Sequence, residues 1–266
     1  MSQPSAEIEH ALEVFVRGFC AGKSRTHPYE HFRDGKLWVM RDAQRKNPRD
    51  YRKEEWIAYG VRPSDVDAAA RQGTRGRFFV CAVRAMDDSE DELRAGYKAL
   101  GYRLLSTEPL FVHRLQRIAR VTAPATIERV RTIEMAERLG KATRSRPIEP
   151  EHLAADAPFR QYVALDGDNL VGWVRSVNAG ESSWCANMYV KPTHRRRGIG
   201  RALLVQMLRD DRRRGAEKSV LLSSHTGALV YPQVGYEQIG VLLIFAPRKT
   251  APPGKTLASR ASRGIQ

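Results

Sequence analysis

The chain has 266 residues, enough for one large domain or two small ones, and its 42% hydrophobic and 28% charged residues are ordinary for a globular protein. No apolar run approaches the ~18 residues of a membrane span, and the polar, acidic residues 1–10 do not resemble a signal peptide. Three distant cysteines supply neither a disulfide framework nor a metal-binding pair. These features favour a cytoplasmic protein, and the net charge of +15 favours anionic ligands.

The first predicted elements are a helix and a strand. Apolar residues recur on one face of residues 6–19, which predicts an amphipathic helix. Its inward residues would be Ile8, Leu12, Phe15 and Phe19. Residues 36–40 predict a strand, and residues 41–53 are polar and basic, which favours a loop.

His27, Glu30 and His31 form an H-x-x-E-H pattern of the kind found in some zinc peptidases. Such a site needs a helix that places both histidines on one face, together with a distant carboxylate ligand. Neither is indicated by the surrounding sequence, so we expect residues 27–31 to be a loop with ordinary surface histidines.

The remaining pattern alternates strands and helices. Between residues 63 and 112 we expect a helix from Pro63 that breaks at glycines 73 and 76, a strand over 77–83, a helix over 87–100 and a strand over 101–112. Further on we expect a helix over 124–142, a hairpin of 161–165 with 169–177, a strand over 220–224, a short helix over 225–231 and closing strands over 236–245. A disordered basic tail is expected over 248–266.

The most informative stretch is residues 184–207. It predicts a strand over 184–190, a basic glycine turn, and an amphipathic helix that Gly215 ends as a C-cap. A turn of this kind presents free backbone N–H groups at a positive helix N-terminus, which is a site for an anion such as phosphate. Gly198 and Gly200 would let the backbone approach the anion closely.

The pattern Arg195-x-x-Gly198-x-Gly200 resembles the Q/R-x-x-G-x-G/A signature of the GCN5-related N-acetyltransferase (GNAT) superfamily, whose loop holds the pyrophosphate of acetyl-coenzyme A. Residues 228–236 resemble that family's A-x-x-Y-x-x-x-G-F/Y element, with Tyr236 in the place of the common phenylalanine. The resemblance covers residues 120–247 well and the N-terminal half only faintly. It implies an α+β fold in which helices flank a mixed central sheet.

The resemblance also implies a set of site residues. The N–H groups of Met188 and Val190 would serve the acetyl oxygen and the pantetheine, and Tyr231 would protonate the coenzyme A thiolate. The residues expected to bind the acetyl-coenzyme A cofactor are Met188, Tyr189, Val190, Arg195, Arg196, Arg197, Gly198, Ile199, Gly200, Arg201 and Ser224. No metal is expected. For Tyr231, a purely structural role remains open.

The general base is not identified. Family members often carry a glutamate at the position that Trp184 occupies here, so a carboxylate base at that place is excluded. Asn187 or His225 could order a water, although structural roles are commoner. A nucleophilic role for Cys185 is disfavoured because the family uses direct attack and no His–Asp pair is evident. Trp173 and Trp184 suggest an aromatic wall for the acceptor, with core packing as the commoner alternative.

The N-terminal half is interpreted as a degenerate GNAT-like unit. Its strand–helix order is similar to the C-terminal half of a GNAT domain, and residues 96–102 resemble residues 229–236. However, no R-x-x-G-x-G loop lies between residues 40 and 80, and the nearest approach is 73–76. We therefore expect an inactive N-terminal domain over 1–115, a catalytic domain over 116–247 and the tail over 248–266.

The sequence thus predicts an N-acetyltransferase that transfers the acetyl group of acetyl-coenzyme A to an amine by direct attack in a ternary complex. Its acceptor class is open, and we expect no membrane partner and a monomer or homodimer. The alternative is a GNAT fold retained as a non-catalytic acyl-coenzyme A sensor or scaffold. A nucleic-acid binder is a third alternative that the charge allows, but no basic stripe interleaved with aromatics supports it.

Overall fold

A computed structural model describes residues 5–146 and 148–248, so the tail predicted over 248–266 lies outside the described residues except for its first residue. The helices are α1 (Ala6–Lys23), α2 (Pro63–Gly73), α3 (Glu90–Ala99), α4 (Ile133–Thr143), α5 (Ile199–Arg213) and α6 (His225–Ala228). The strands are β1 (Tyr29–Asp34), β2 (Leu37–Asp42), β3 (Glu54–Tyr59), β4 (Phe78–Ala85), β5 (Tyr102–His113), β6 (Thr126–Arg129), β7 (Phe159–Asp166), β8 (Asn169–Ala179), β9 (Ser182–Val190), β10 (Lys218–Leu222) and β11 (Glu237–Pro247).

All of these strands form one mixed sheet with the order β1-β2-β3-β4-β11-β5-β10-β9-β8-β7-β6. Neighbouring strands are antiparallel except for β3 with β4 and β9 with β10, which are parallel. Parallel neighbours need a crossover connection, and α2 and α5 supply it. The expected α+β architecture with a mixed sheet is therefore confirmed.

The sheet contains the same arrangement twice. β1-β2-β3-α2-β4 and β7-β8-β9-α5-β10 have the same order and the same strand directions. The last strand of each half lies inside the other half's part of the sheet, because β5 pairs with β10 and β11 pairs with β4. β5 and β11 also pair with each other along almost their full length, from Glu237↔Val112 to Pro247↔Tyr102. The two halves are thus joined by strand pairing rather than by packing of two separate sheets.

Helix α1 lies at the centre of the largest core and contacts strands of both halves. Its predicted inward residues Ile8, Leu12 and Phe15 are buried, and Phe19 packs against the same core. Residues on its other side, such as Val14 and Val16, are buried as well. The apolar surface of α1 is therefore wider than a single amphipathic face, because the sheet meets it from both halves. We refer to this side of the sheet as the α1 face.

Two smaller cores lie on the opposite side of the sheet. One is formed under α5 by residues such as Leu203, Leu204 and Met207, and the other lies under α2 and α3 around Val66 and Tyr97. The side that α5 covers is called the α5 face. None of the described helices is long and apolar enough to cross a membrane.

The predicted helix over 124–142 is wrong in its first half. Thr126–Arg129 form strand β6, which pairs with β7, and α4 begins only at Ile133. The backbone N–H of Val130 donates to the carbonyl of Gln161, and the Thr132 hydroxyl caps α4 by accepting from the N–H of Met135. Pairing with the β7 edge thus decides the conformation of a segment whose apolar spacing also fits a helix.

The loop predicted over 27–31 is also wrong, whereas the loop predicted over 41–53 is correct apart from its first two residues. Residues 29–34 form strand β1, whose alternation places Glu30 and His31 on opposite faces instead of on one helix face. The predicted loop over 41–53 begins within β2, and strand β3 follows directly after it. β3 escaped prediction because it is buried along its whole length and therefore lacks polar–apolar alternation. Lys23 and Tyr29 bind the buried carboxylate of Glu55.

Candidate active site

The candidate site lies where strands β9 and β10 separate. The two strands pair only from Lys218↔Ser182 to Val220↔Trp184, whereas β10 continues to pair with β5 up to Leu222↔Leu110. The second half of β9 therefore presents backbone N–H and C=O groups that no neighbouring strand binds on this edge. The opening forms a cleft of about 950 Å³. Predicted site residues that line it are Met188, Tyr189, Val190, Arg195, Arg196, Gly198, Ile199, Gly200, Arg201, Ser224 and Tyr231.

A β-bulge lies on β9 at the cleft. Arg175 pairs with Ala186 and Trp173 with Tyr189, so β9 has one more residue than β8 over this interval. Asn187, inside the bulge, has a φ of +53°, a left-handed conformation that asparagine tolerates better than most residues. Bulges of this kind re-aim backbone groups, here toward the cleft. The sequence singled out Asn187 only as a residue that could order water.

The basic glycine turn forms the N-terminus of α5. Gly198 is the N-cap residue with a φ of +85°, and Arg196 also has a positive φ of +60°. The first N–H groups of a helix have no intrahelical partner, and the helix dipole makes this end positive. The exposed side chains of Arg195, Arg196 and Arg201 add charge at the same place. The turn can therefore hold an anionic group such as a phosphate.

The turn packs tightly against β9. A Cβ atom at Gly200 would lie 2.9 Å from Cε of Met188 and 3.8 Å from side-chain carbons of Val190 and Val230, so a larger residue would displace the end of the Met188 side chain. Arg195 Nε donates to the carbonyl of Val190 at 3.0 Å, which ties the turn to the end of the strand. Arg197 is the one predicted residue that is exposed without lining the cleft.

Tyr231 lies in the wall of the cleft. It is only 6% exposed, and its ring packs against Phe111 and Tyr236 with centroid distances of 5.5 and 5.7 Å. Burial is the main cause that raises the pKa of the Tyr231 phenol above its usual range, with a smaller opposing contribution from a hydrogen bond with Ser223. The phenol therefore stays protonated at neutral pH and can act only as a proton donor.

Several residues considered in the sequence do not meet the cleft. Trp184 packs in the core against Phe15 at a centroid distance of 5.1 Å, so of the two tryptophans only Trp173 contacts a cleft residue, by stacking on Tyr189 at 4.6 Å. His225 does not line the cleft and instead hydrogen-bonds with Thr107. Cys185 does line the cleft, but burial raises the pKa of its thiol, which opposes a nucleophilic role.

The cleft has two electrostatic features that the sequence did not reveal. Its described lining contains no aspartate or glutamate. One histidine, His194, lines the cleft just before the basic turn, and its Nε2 lies 3.4 Å from a carboxylate oxygen of Asp166 in the β7–β8 turn. The 28-residue separation of these two residues hides the pair in the sequence, although the hairpin prediction places Asp166 in a turn.

The described part of the N-terminal half has no turn that corresponds to the R-x-x-G-x-G turn. Only Gly60, Val61 and Arg62 separate β3 from Pro63, the first residue of α2. The segment 73–76, which most resembled the motif in the sequence, follows α2 instead of preceding it. It therefore lies at the wrong end of the helix to present N–H groups to an anion.

Residues 157–238 match the family model of the acetyltransferase (GNAT) domain. The C-terminal half carries a GNAT domain. The match includes β9, the basic turn and Tyr231, which are the elements that form the cleft. No curated protein matches the sequence.

Solved structures resemble nearly the whole chain in fold. A GCN5-related N-acetyltransferase from Kribbella flavida is 16% identical, with a TM-score of 0.59 over 93% of this chain and 97% of its own. A functionally unknown conserved protein from Staphylococcus epidermidis is 14% identical, with a TM-score of 0.55 over 85% and 96%. A GCN5-related N-acetyltransferase-like protein from Streptococcus suis is 11% identical, with a TM-score of 0.51 over 91% and 98%. These likenesses extend the fold, though not the activity, to the N-terminal half.

Proposed function

We propose that this protein is an acetyl-coenzyme A-dependent N-acetyltransferase in which an amine attacks the donor directly within a ternary complex. The observation that carries the proposal is the basic glycine turn at the N-terminus of α5, placed beside the opening between β9 and β10. A phosphate site lies next to unpaired backbone groups of β9. This arrangement can bind an extended ligand that carries phosphate at one end and hydrogen-bonding groups along its length. The GNAT family match supports the same chemistry.

The residues present fit acetyl-coenzyme A. Arg195, Arg196 and Arg201, with the N–H groups after Gly198, would hold the pyrophosphate, and the close approach at Gly200 keeps this end of the cleft free of side-chain bulk. Met188, Tyr189, Val190 and Ser224 would hold the pantetheine. When bound, the donor supplies an acetyl thioester, whose carbonyl carbon is activated toward an amine.

The residues of the chain would then contribute three things. The backbone N–H groups of Met188 and Val190, beside the bulge at Asn187, donate to the acetyl oxygen and the pantetheine and stabilise the negative charge that develops on the oxygen. Tyr231 holds a proton at its phenolic oxygen and delivers it to the departing sulfur. The apolar walls of the cleft exclude water and so limit hydrolysis of the thioester.

One observation favours a second candidate function. Because the described lining of the cleft contains no carboxylate, an incoming ammonium finds no acidic side chain there to take its proton. A protein that binds acyl-coenzyme A without turnover would need no such group. The two functions therefore differ in whether free thiol is released.

The test combines calorimetry with a thiol-release assay. We expect coenzyme A to bind and free thiol to appear from acetyl-coenzyme A when a panel of amines, including amino acids, polyamines and peptides, is supplied. Binding without thiol release for every amine would favour the non-catalytic candidate. Absence of binding would contradict both.

A further inference from the structure

A mostly buried arginine lies on the α1 face beside the cleft. Arg175 on β8 is the cross-strand partner of Ala186, which lines the cleft immediately before the bulge residue Asn187. The guanidinium of Arg175 packs over the ring of Phe159, with its central carbon 4.5 Å from the ring centroid. The end of α1 closes the space, since a Cβ at Gly22 would lie 4.0 Å from Arg175 Nη1.

Among the described residues, Arg175 has no salt bridge and no hydrogen-bond acceptor, and its buried Nε is without a partner. A second guanidinium increases the positive charge, because Arg25 lies 5.5 Å from the centroid of the same Phe159 ring. Burial, and then the charge of Arg25, lower the pKa of Arg175 to about 10, so it remains charged at neutral pH. A buried cation without an anion is costly, and proteins rarely retain one without a use for it.

A second unsatisfied donor lies on the same face. Trp173 is two residues from Arg175 on β8, so both side chains point to the α1 face. Trp173 is 7% exposed, and its indole Nε1–H is buried without an acceptor among the described residues. Its ring stacks on Tyr189, which lines the cleft. Two buried donors thus lie on β8, each on a residue paired with a β9 residue that lines the cleft.

We propose that Arg175 and Trp173 bind a carboxylate carried by the amine acceptor, which makes an amino acid the expected class of substrate. The inference rests on the proposed function and adds the acceptor to it. The phosphates of the donor have their own cationic turn at α5, on the opposite face of the sheet, so the donor does not need Arg175. A carboxylate has two oxygens, one for the planar guanidinium fork and one for the indole N–H.

The test measures kcat/KM for the common amino acids and for their amides, which keep the amine and lose the carboxylate. For the members that are acetylated, we expect the parent to favour the acid over its amide by about tenfold or more, the size of one charge-assisted contact. Arg175→Met should abolish this preference by raising KM for the acid, with little change for the amide. Arg175→Lys should restore part of it, and the exposed Arg103→Met should behave as the parent.

Thermal unfolding separates binding from a structural role. Because Arg175 is an uncompensated cation, Arg175→Met should unfold at the parent's temperature or above it, and the preferred amino acid should stabilise the parent but not the variant. A parent that acetylates only amines without a carboxylate, or a variant that keeps the preference, overturns the inference while the proposed function stands. A parent that binds coenzyme A but acetylates nothing overturns both.

Discussion

Individual residues in unusual backbone conformations shape the cleft. Asn187, Arg196 and Gly198 all have positive φ values, and they lie within twelve residues of one another on both sides of the end of β9. Left-handed conformations of non-glycine residues cost free energy and concentrate where a ligand needs backbone groups in particular directions. The strain at Asn187 and Arg196 therefore supports the proposed site independently of any motif.

Gly198→Asp is expected to weaken coenzyme A binding at least tenfold, about 1.4 kcal/mol. The new carboxylate would repel the pyrophosphate and could pair with Arg201, whose Nη2 lies 3.5 Å from the position of the added Cβ. Asparagine tolerates the positive φ equally well and carries no charge, so Gly198→Asn is the matched control and should lose less. Calorimetry on the two folded variants measures the difference. Unchanged affinity of Gly198→Asp would contradict the phosphate-site assignment.

Tyr231→Phe should lower turnover by roughly 10²–10⁴-fold while donor affinity stays nearly intact, because a proton donor acts only as thiolate charge develops. Its ring contacts with Phe111 and Tyr236 would be kept. Tyr236→Phe is the control, since that hydroxyl hydrogen-bonds with Ser219 at 2.8 Å and its loss should affect stability more than rate. Steady-state thiol release measures both. Parent-like turnover of Tyr231→Phe with several amines would make Tyr231 structural.

At the scale of elements, the sequence predicted best where the signal is local. Helix α1, the hairpin of β7 with β8, and the order strand–turn–helix from β9 to α5 are confirmed, because periodicity and turn residues within each segment define them. The failures have a different cause. β3 and β6 owe their conformation to a neighbouring strand, and the buried Glu55 is accommodated by partners that are distant in sequence.

The candidate site divides in the same way. Residues of the turn and of β9 are consecutive, so a motif could nominate them together with Tyr231. Arg175 could not be found from the sequence, since its importance depends on the register of β8 with β9 and on Phe159 and α1 packing around it. A single arginine in a strand forms no sequence motif. Only the structure shows that this arginine is mostly buried and has no anionic partner among the described residues.

Helix α1 offers a contrast between two glycines. A Cβ at Gly18 would lie 2.2 Å from Cβ of Trp184, whereas one at Gly22 meets nothing closer than 4.0 Å. Gly22→Ala should therefore stabilise the protein by up to about 0.5–1 kcal/mol through helix propensity. Gly18→Ala should destabilise it by roughly 1–3 kcal/mol, because α1 must move away from β9. Denaturant unfolding gives both values, and the same sign for the two variants would contradict this packing.

At the scale of the whole molecule, the two halves share a fold but differ in the turn that precedes the crossover helix. Both contain the strand–helix crossover, yet among the described residues only the second half has the R-x-x-G-x-G turn before its helix. The first half instead supplies α1, which packs against β8 and β9, and β5, which supports β10 beside the cleft. We interpret it as a half that supports the site without duplicating it.

A titration tests this interpretation. Coenzyme A should saturate at one equivalent per chain, because the turn from β3 to α2 is too short to present N–H groups to a pyrophosphate. Calorimetry with known active concentration gives the stoichiometry, and Gly198→Asp provides the control in which the one site is weakened. A second equivalent that survives in this variant would place a site in the N-terminal half.

The exchanged strands predict how the protein unfolds. Without residues 116–247, strands β4 and β5 would lose β11, which lies between them; without residues 1–115, β10 and β11 would lose β5, which lies between them. Either fragment would therefore expose unpaired strand edges and part of the core around α1. We expect one cooperative transition in calorimetry, with equal van't Hoff and calorimetric enthalpies, and no folded state for either fragment alone. Domains that merely pack against each other would instead unfold in two steps, and a fragment 116–247 with native-like amide protection would contradict the role given to β5.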